Sequence, residues 1–159
     1  MEKKKLILTR GIQGSGKSTW ARQWVEEDPE NRVRINNDDI RNMLGPYWIT
    51  DREPLVSDIK LRMAEEAMNR GYDIVVDNMN LNPKEIKFWE DLVWAHNETV
   101  SHNATFDDKY DLYEIEFKDF FIPLEECIRR DAMRPNPIGE KVIRETWKRY
   151  KHFIQTTEV

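Results

Sequence analysis

An α/β fold, with a small parallel sheet flanked by helices on both faces, is what this sequence predicts. Three observations carry that reading. Short apolar runs alternate with amphipathic stretches of helical length from one end of the chain to the other, which is the signature of strand–helix–strand units. The first apolar run leads directly into a glycine-rich loop that opens a helix. The 159 residues are enough to bury one real core, so residues 1–159 are expected to form a single domain.

The elements follow in order. Lys5–Arg10 reads as a short buried strand ending at Gly11, and Lys17–Glu27 as a helix with Trp20, Ala21, Trp24 and Val25 on one face, closed by Asp28-Pro29. Arg32–Asn36 is a second strand, and Asp38–Leu44 a helical turn stopped by Gly45-Pro46. Leu55, Ile59, Met63 and Ala67 recur every fourth residue. They predict an amphipathic helix over Pro54–Arg70 with its apolar stripe on those four positions and Gly71 as its C-cap. Asp73–Asp77 is a third strand. Asn82-Pro83 then supplies an N-cap and a proline at the first helical position, with Glu85 three residues past the cap. That helix is expected to run to about Ala95. Leu112–Lys118 is a fourth strand, Pro123–Met133 a helix, and Gly139–Ile154 a last helix with Ile143, Trp147, Tyr150 and Ile154 on one stripe. Asn97–Asp111 is polar and aperiodic, and is expected to be a surface insertion.

Composition narrows the function. Charged residues make up 35% of the chain and hydrophobic ones 39%, and no apolar run is long enough to cross a bilayer or form a secretory signal. One cysteine, Cys127, leaves no internal disulfide and suits a reducing compartment. The expected location is the cytoplasm. A net charge of −5 argues against a protein that coats nucleic acid, since such binding rests on many Lys/Arg–phosphate contacts. It leaves open the recognition of a strand end by a few local basic residues. His96, His102 and His152 lack metal-ligand spacing and are expected at the surface. Trp48, in the loop Pro46-Tyr47-Trp48, is expected in the core, with stacking on a base as its alternative.

Gly11-Ile12-Gln13-Gly14-Ser15-Gly16-Lys17-Ser18 matches the phosphate-binding loop G-x-x-x-x-G-K-[ST] completely, and it falls between a predicted strand and a predicted helix. Its glycines turn backbone N–H groups inward as an anion nest, and the following helix aims its positive end at the phosphates. Lys17 would reach the β- and γ-phosphates, and Ser18 would offer its hydroxyl to Mg²⁺. The nucleotide-binding set is therefore Gly11, Gly14, Ser15, Gly16, Lys17, Ser18 and Thr19, with ATP as donor. Asp77, at the end of the third strand, stands where a partner for Mg²⁺-bound water is needed, or else caps a turn. It is followed by Asn78 and not Glu, so the water-activating carboxylate of many ATPases is missing there. No Asn-Lys-x-Asp motif for guanine occurs either.

Asn36-Asn37-Asp38-Asp39-Ile40-Arg41 follows the second strand. Strand C-termini face the ligand crevice in such sheets, so Asp38 can accept the proton of an attacking hydroxyl. Arg41, three residues on, shares its helical face and suits a phosphate of the acceptor. The alternative is that Asp38 is only a helix N-cap. Arg129-Arg130-Asp131-Ala132-Met133-Arg134 ends a helix before Pro135. Arg130 and Arg134 make a candidate lid that neutralises the transferring phosphoryl group as an arginine finger in cis, or a solvated basic face.

These three blocks, in chain order and with Asp77-Asn78-Met79-Asn80-Leu81-Asn82-Pro83 as a fourth between the second and the last, resemble the phage-type polynucleotide 5′-kinases over nearly the whole chain. The resemblance implies a four-stranded parallel sheet of the P-loop kinase class, using ATP with Mg²⁺ to phosphorylate 5′-hydroxyl ends of DNA or RNA. It makes Lys17 and Ser18 the phosphate and metal contacts, Asp38 the general base, Arg41 the contact to the acceptor's phosphate, and Arg134 the clamp on the donor. The family pattern places its acidic residue one position later than Asp77. No Asp-x-Asp-Gly-Thr motif occurs, so a 3′-phosphatase domain is not expected in this chain. A kinase of the same build acting on a modified-base hydroxyl or a small metabolite, and a non-kinase NTPase, stand as alternatives. The sequence leaves the oligomeric state open.

Overall fold

A computed structural model describes residues 2–102 and 111–157. Four strands, β1 (Lys4–Arg10), β2 (Arg32–Ile35), β3 (Asp73–Val76) and β4 (Tyr113–Asp119), form one sheet in the order β2-β3-β1-β4, and every pairing is parallel. The crossovers are helical: α1 (Lys17–Glu27) after β1, α2 (Asn37–Leu44) and α3 (Glu53–Asn69) after β2, and α4 (Pro83–His102) after β3. Two more helices, α5 (Leu124–Ala132) and α6 (Glu140–Thr157), follow β4.

Alternation along the inner strands sorts their side chains to two faces. Leu6, Leu8, Ile74 and Val76 pack with Ile40 of α2, Val56, Ala64 and Met68 of α3, and Trp89 and Val93 of α4. Ile7 and Val75 turn the other way and meet Ala21, Trp20, Trp24 and Val25 of α1. A third cluster joins Ile12 and Leu81 to Cys127 of α5 and to Ile143 and Ile154 of α6, with Trp147 and Tyr150 packed on it. The stripe expected on the last helix is thus its packing face. This third cluster seats α5 and α6 at the end of the sheet where the glycine-rich loop lies.

Three expectations need correction. The buried face of α3 is Val56, Lys60, Ala64, Ala67 and Met68, while Leu55 and Met63 are exposed. The stripe is one residue out of phase because a lysine occupies its middle. Lys60 lies with its ammonium near the Phe88 and Trp89 rings and pairs at 3.2 Å with Glu85. Glu85 therefore serves Lys60 instead of closing a capping box. Second, α4 continues through His102, so the segment expected as an insertion over 97–111 begins as helix. Asn97 exchanges two hydrogen bonds of 2.9 Å with the backbone of Tyr113 and ties α4 to the start of β4. Residues 103–110 of that segment lie outside the described residues. Third, His96 is not a plain surface residue: it meets the Asp111 carbonyl at 2.8 Å and packs edge-on against Tyr113.

Candidate active site

The carboxyl ends of β1, β2 and β3 lie at one end of the parallel sheet, and asparagines hold them together. Asn80, buried and in the left-handed region at φ 49°, donates to the Thr9 and Val76 carbonyls at 2.8 and 3.0 Å. Asn36 donates to the Asp77 carbonyl at 2.6 Å and accepts from the Asp39 amide at 2.9 Å. Asn78 accepts from the Asn37 amide at 3.0 Å. The start of α2 is thereby pinned to the end of β3. The sequence reading gave none of these three asparagines this tying role, although Asn36, Asn78 and Asn80 all sit at strand ends, where short amide side chains bond nearby backbone.

The phosphate loop has the backbone its glycines permit. Gly14 is at φ 80°, and a Cβ there would fall 2.4 Å from the Cys127 carbonyl oxygen, so only glycine lets the loop lie against α5. Gly16 is at φ 97° and precedes α1, whose start has no side-chain cap and no acidic residue in its first turn. Those amides are left to serve an anion. Ser15 is buried, Ser18 half-buried, and Thr19 exposed on the first turn. The Lys17 ammonium donates to the Ile12 carbonyl at 2.7 Å and lies 3.4 Å from the Ser15 hydroxyl. Burial pulls its pKa down to about 8; the Asp77 and Asp38 carboxylates oppose that shift, and Arg134 adds to it. Three predicted site residues from three separate segments of the chain thus act on one ammonium group.

Asp77 is buried, at 1% exposure. Its Oδ2 is held by the Arg34 guanidinium, with Nη2 at 2.7 Å, while its Oδ1 is buried without a hydrogen-bond partner. An orphaned carboxylate oxygen of this kind is costly unless something else uses it. Its chemistry would suit a group that accepts from Mg²⁺-bound water, the role expected for it from the sequence. Gln13 Oε1, Asn37 Oδ1, Asn78 Nδ2 and Asn80 Oδ1 are also buried and unpaired. Five of the six such atoms among the described residues therefore belong to the phosphate loop, the start of α2 or the loop after β3, where a ligand with many polar atoms would satisfy them.

Asp38 does not cap α2, because Asn36 does. Its Oδ1 accepts from Arg41 Nη1 at 2.7 Å and from the Tyr47 hydroxyl at 2.9 Å. Among the described residues no hydrogen bond falls on Oδ2. Arg41 is engaged on a second side: Nε and Nη2 clasp the Glu53 carboxylate at 3.0 and 2.6 Å. This pairing holds the Arg41 charge and lowers the Glu53 pKa. Glu53 is the site residue that sequence reading missed; it lies twelve positions from Arg41, at the start of the next helix, where no spacing rule would connect them. Trp48, expected in the core, is instead exposed beside this group.

The arginine cluster divides. Arg130 donates to the Ser15 carbonyl at 3.3 Å and to Glu126 at 3.0 Å, so it braces the phosphate loop. Arg129 is occupied by Glu126 on the outer face. Arg134 lies beyond the end of α5, is 46% exposed, and reaches the nearer Asp131 oxygen only at 3.8 Å. Asp131 itself is buried and accepts from the Ile138 and Gly139 amides at 3.0 and 2.9 Å. It latches both ends of the loop that carries Arg134.

The sequence model of the AAA domain family matches residues 6–156. The chain belongs to that AAA domain family. This AAA domain is 24% identical to the candidate bifunctional polynucleotide kinase/RNA ligase of Autographa californica nuclear polyhedrosis virus, over 96% of this chain and 21% of the viral protein. It superposes on a chain of the Pnkp1/Rnl/Hen1 RNA repair complex with a TM-score of 0.74 at 22% identity, covering 98% of this chain and 47% of that one. An APS kinase of Mycobacterium tuberculosis shares the fold at a TM-score of 0.53 and 18% identity, over 84% of this chain and 71% of that one. The AAA domain thus has a P-loop kinase fold, and the resemblance to polynucleotide kinases holds at the level of a polynucleotide kinase-type domain. It spans less than half the length of the viral protein and of the RNA repair chain. No described helix is long and apolar enough to cross a membrane.

Proposed function

We propose that this domain transfers the γ-phosphoryl group of ATP to a nucleic-acid hydroxyl, the 5′-OH end of a DNA or RNA strand. One observation supports it above the others: Asp38 is relieved of helix capping by Asn36 and stands one helical turn from Arg41, with Lys17 of the phosphate loop in its field. In this reading the loop amides and Lys17 hold the donor phosphates, and Ser18 and Asp77 hold Mg²⁺. The metal, when bound, supplies neutralisation of the donor phosphate oxygens. Asp38 Oδ2 takes the proton of the acceptor hydroxyl as its oxygen bonds to phosphorus and the bond to ADP breaks. Arg134 neutralises the charge of the transferring group, and Arg41 grips the phosphate next to the reacting hydroxyl.

A second reading, a kinase of the same build acting on a modified base or a small metabolite, is favoured by a different observation. The Arg41 fork already holds a carboxylate, Glu53, and a fork so filled need not meet an acceptor phosphate. Incubation with γ-labelled ATP and Mg²⁺ separates the two. A 5′-OH oligonucleotide should be the best acceptor, a nucleoside 3′-monophosphate weaker, and a plain nucleoside weaker still by about 10- to 100-fold, the worth of one charge-assisted hydrogen bond. No transfer to any oligonucleotide would leave the small-molecule kinase as the assignment.

A further inference from the structure

The loop between α2 and α3 carries an apolar surface that the chemistry above does not use. Trp48 is 57% exposed and Tyr47 52%, with Ile49 next in the chain also exposed. Exposed apolar side chains at consecutive positions mark an interaction surface in a way that singly scattered ones do not. Their neighbours are specific: Tyr47 donates to the Asp38 carboxylate, and the Arg41 guanidinium lies 5.0 Å from the centre of the Trp48 ring. One short loop thus sets a proton acceptor, a planar cation and a flat open ring side by side.

We propose that Trp48 is the stacking platform for the terminal nucleobase of the acceptor strand, with Tyr47 fixing the loop through Asp38. This inference rests on the polynucleotide reading above and deepens it. A strand end presents three chemically distinct parts within one nucleotide: a hydroxyl, a phosphate and a π-face. Asp38, Arg41 and Trp48 match them in kind. An indole ring stacks on any base, because every base has a π-face, so the contact selects nucleic acid over small polyol acceptors without selecting sequence. The ring is packed against a guanidinium on one side, which restrains it at little entropic cost.

The test is steady-state kinetics with γ-labelled ATP on the intact chain, comparing the parent, Trp48→Ala and Trp48→Phe, with circular dichroism to confirm folding. The acceptors are a 5′-OH oligonucleotide and the same strand with an abasic 5′-terminal nucleotide. Trp48→Ala should raise KM for the normal oligonucleotide about tenfold, and Trp48→Phe should restore most of the loss. With the abasic strand the parent should already be as weak as Trp48→Ala, and the substitution should cost nothing more. A 2-aminopurine at the 5′ end should be quenched on binding the parent and not on binding Trp48→Ala. If the parent phosphorylates the oligonucleotide and Trp48→Ala is unchanged in KM, the platform is wrong and the polynucleotide reading stands. An equal Trp48→Ala effect on the abasic strand would also overturn the platform, since the ring would then be meeting something other than the base. If the parent phosphorylates no oligonucleotide, both the platform and the reading beneath it fall.

Discussion

Asn36 donates to the carbonyl of Asp77 at 2.6 Å across the gap between β2 and β3, while its own side-chain oxygen caps α2. Two roles that the sequence leaves merged in one acidic segment are thereby divided. Asn36 holds the helix, and Asp38 is left for chemistry.

Asp38→Asn should therefore keep the fold and ATP binding while losing phosphoryl transfer by about 10²- to 10⁴-fold, the usual contribution of a positioned base. Asn36→Ala should do the reverse in part, lowering stability by about 0.5–2 kcal/mol through loss of the cap. Urea melts and single-turnover rates on both variants check this. A fully active Asp38→Asn would return Asp38 to a structural role.

ATP affinity should fall as pH rises through about 8, because burial brings the Lys17 pKa down to that value and only the charged ammonium holds phosphate. Kd should weaken about tenfold per pH unit above that point. Calorimetry from pH 7 to 9.5 measures it, and Lys17→Arg should flatten the profile. Folding stability should move the other way. Lys17 has a lower pKa folded than its ordinary 10.5, so between about 8 and 10.5 the unfolded chain binds more protons and stability rises with pH.

Arg134→Ala should cost far more rate than Arg129→Ala. Arg134 is held only loosely and lies beyond α5, whereas Arg129 is spent on Glu126 at the surface. Arginine fingers supplied in cis contribute about 10³–10⁵ in rate, while an exposed i,i+3 pair is worth tenths of a kcal/mol. Initial rates at saturating ATP and acceptor decide it, and equal small losses would mark the cluster as a solvated face.

Asp131→Ala should lower stability by about 1.5–3 kcal/mol, since a buried carboxylate accepting from two amides is lost. Its rate should drop as well, because the loop bearing Arg134 is no longer latched at Ile138 and Gly139. Asp131→Asn, which keeps one acceptor oxygen, should recover part of both. Thermal unfolding and turnover measured together test the link, and a destabilised variant with unchanged turnover would sever the latch from catalysis.

What the sequence determined by itself is what depends on neighbouring residues. The element order, the phosphate loop and its helix, the packing stripe of α6 and the Asp38–Arg41 spacing are all written within a few consecutive positions, where helical and strand periodicities act. The tertiary structure alone decided which partners those residues meet. Arg34 takes one oxygen of Asp77 because β2 lies beside β3 in the sheet, 43 positions away in the chain. Glu53 fills the Arg41 fork, Asn97 keeps α4 helical past Ala95 by bonding the edge of β4, and Lys60 turns the buried face of α3 by finding Glu85 and two rings on α4. Trp48 stays 57% exposed for a related reason: burial is set by what crosses a residue in space, which periodicity along the chain does not encode.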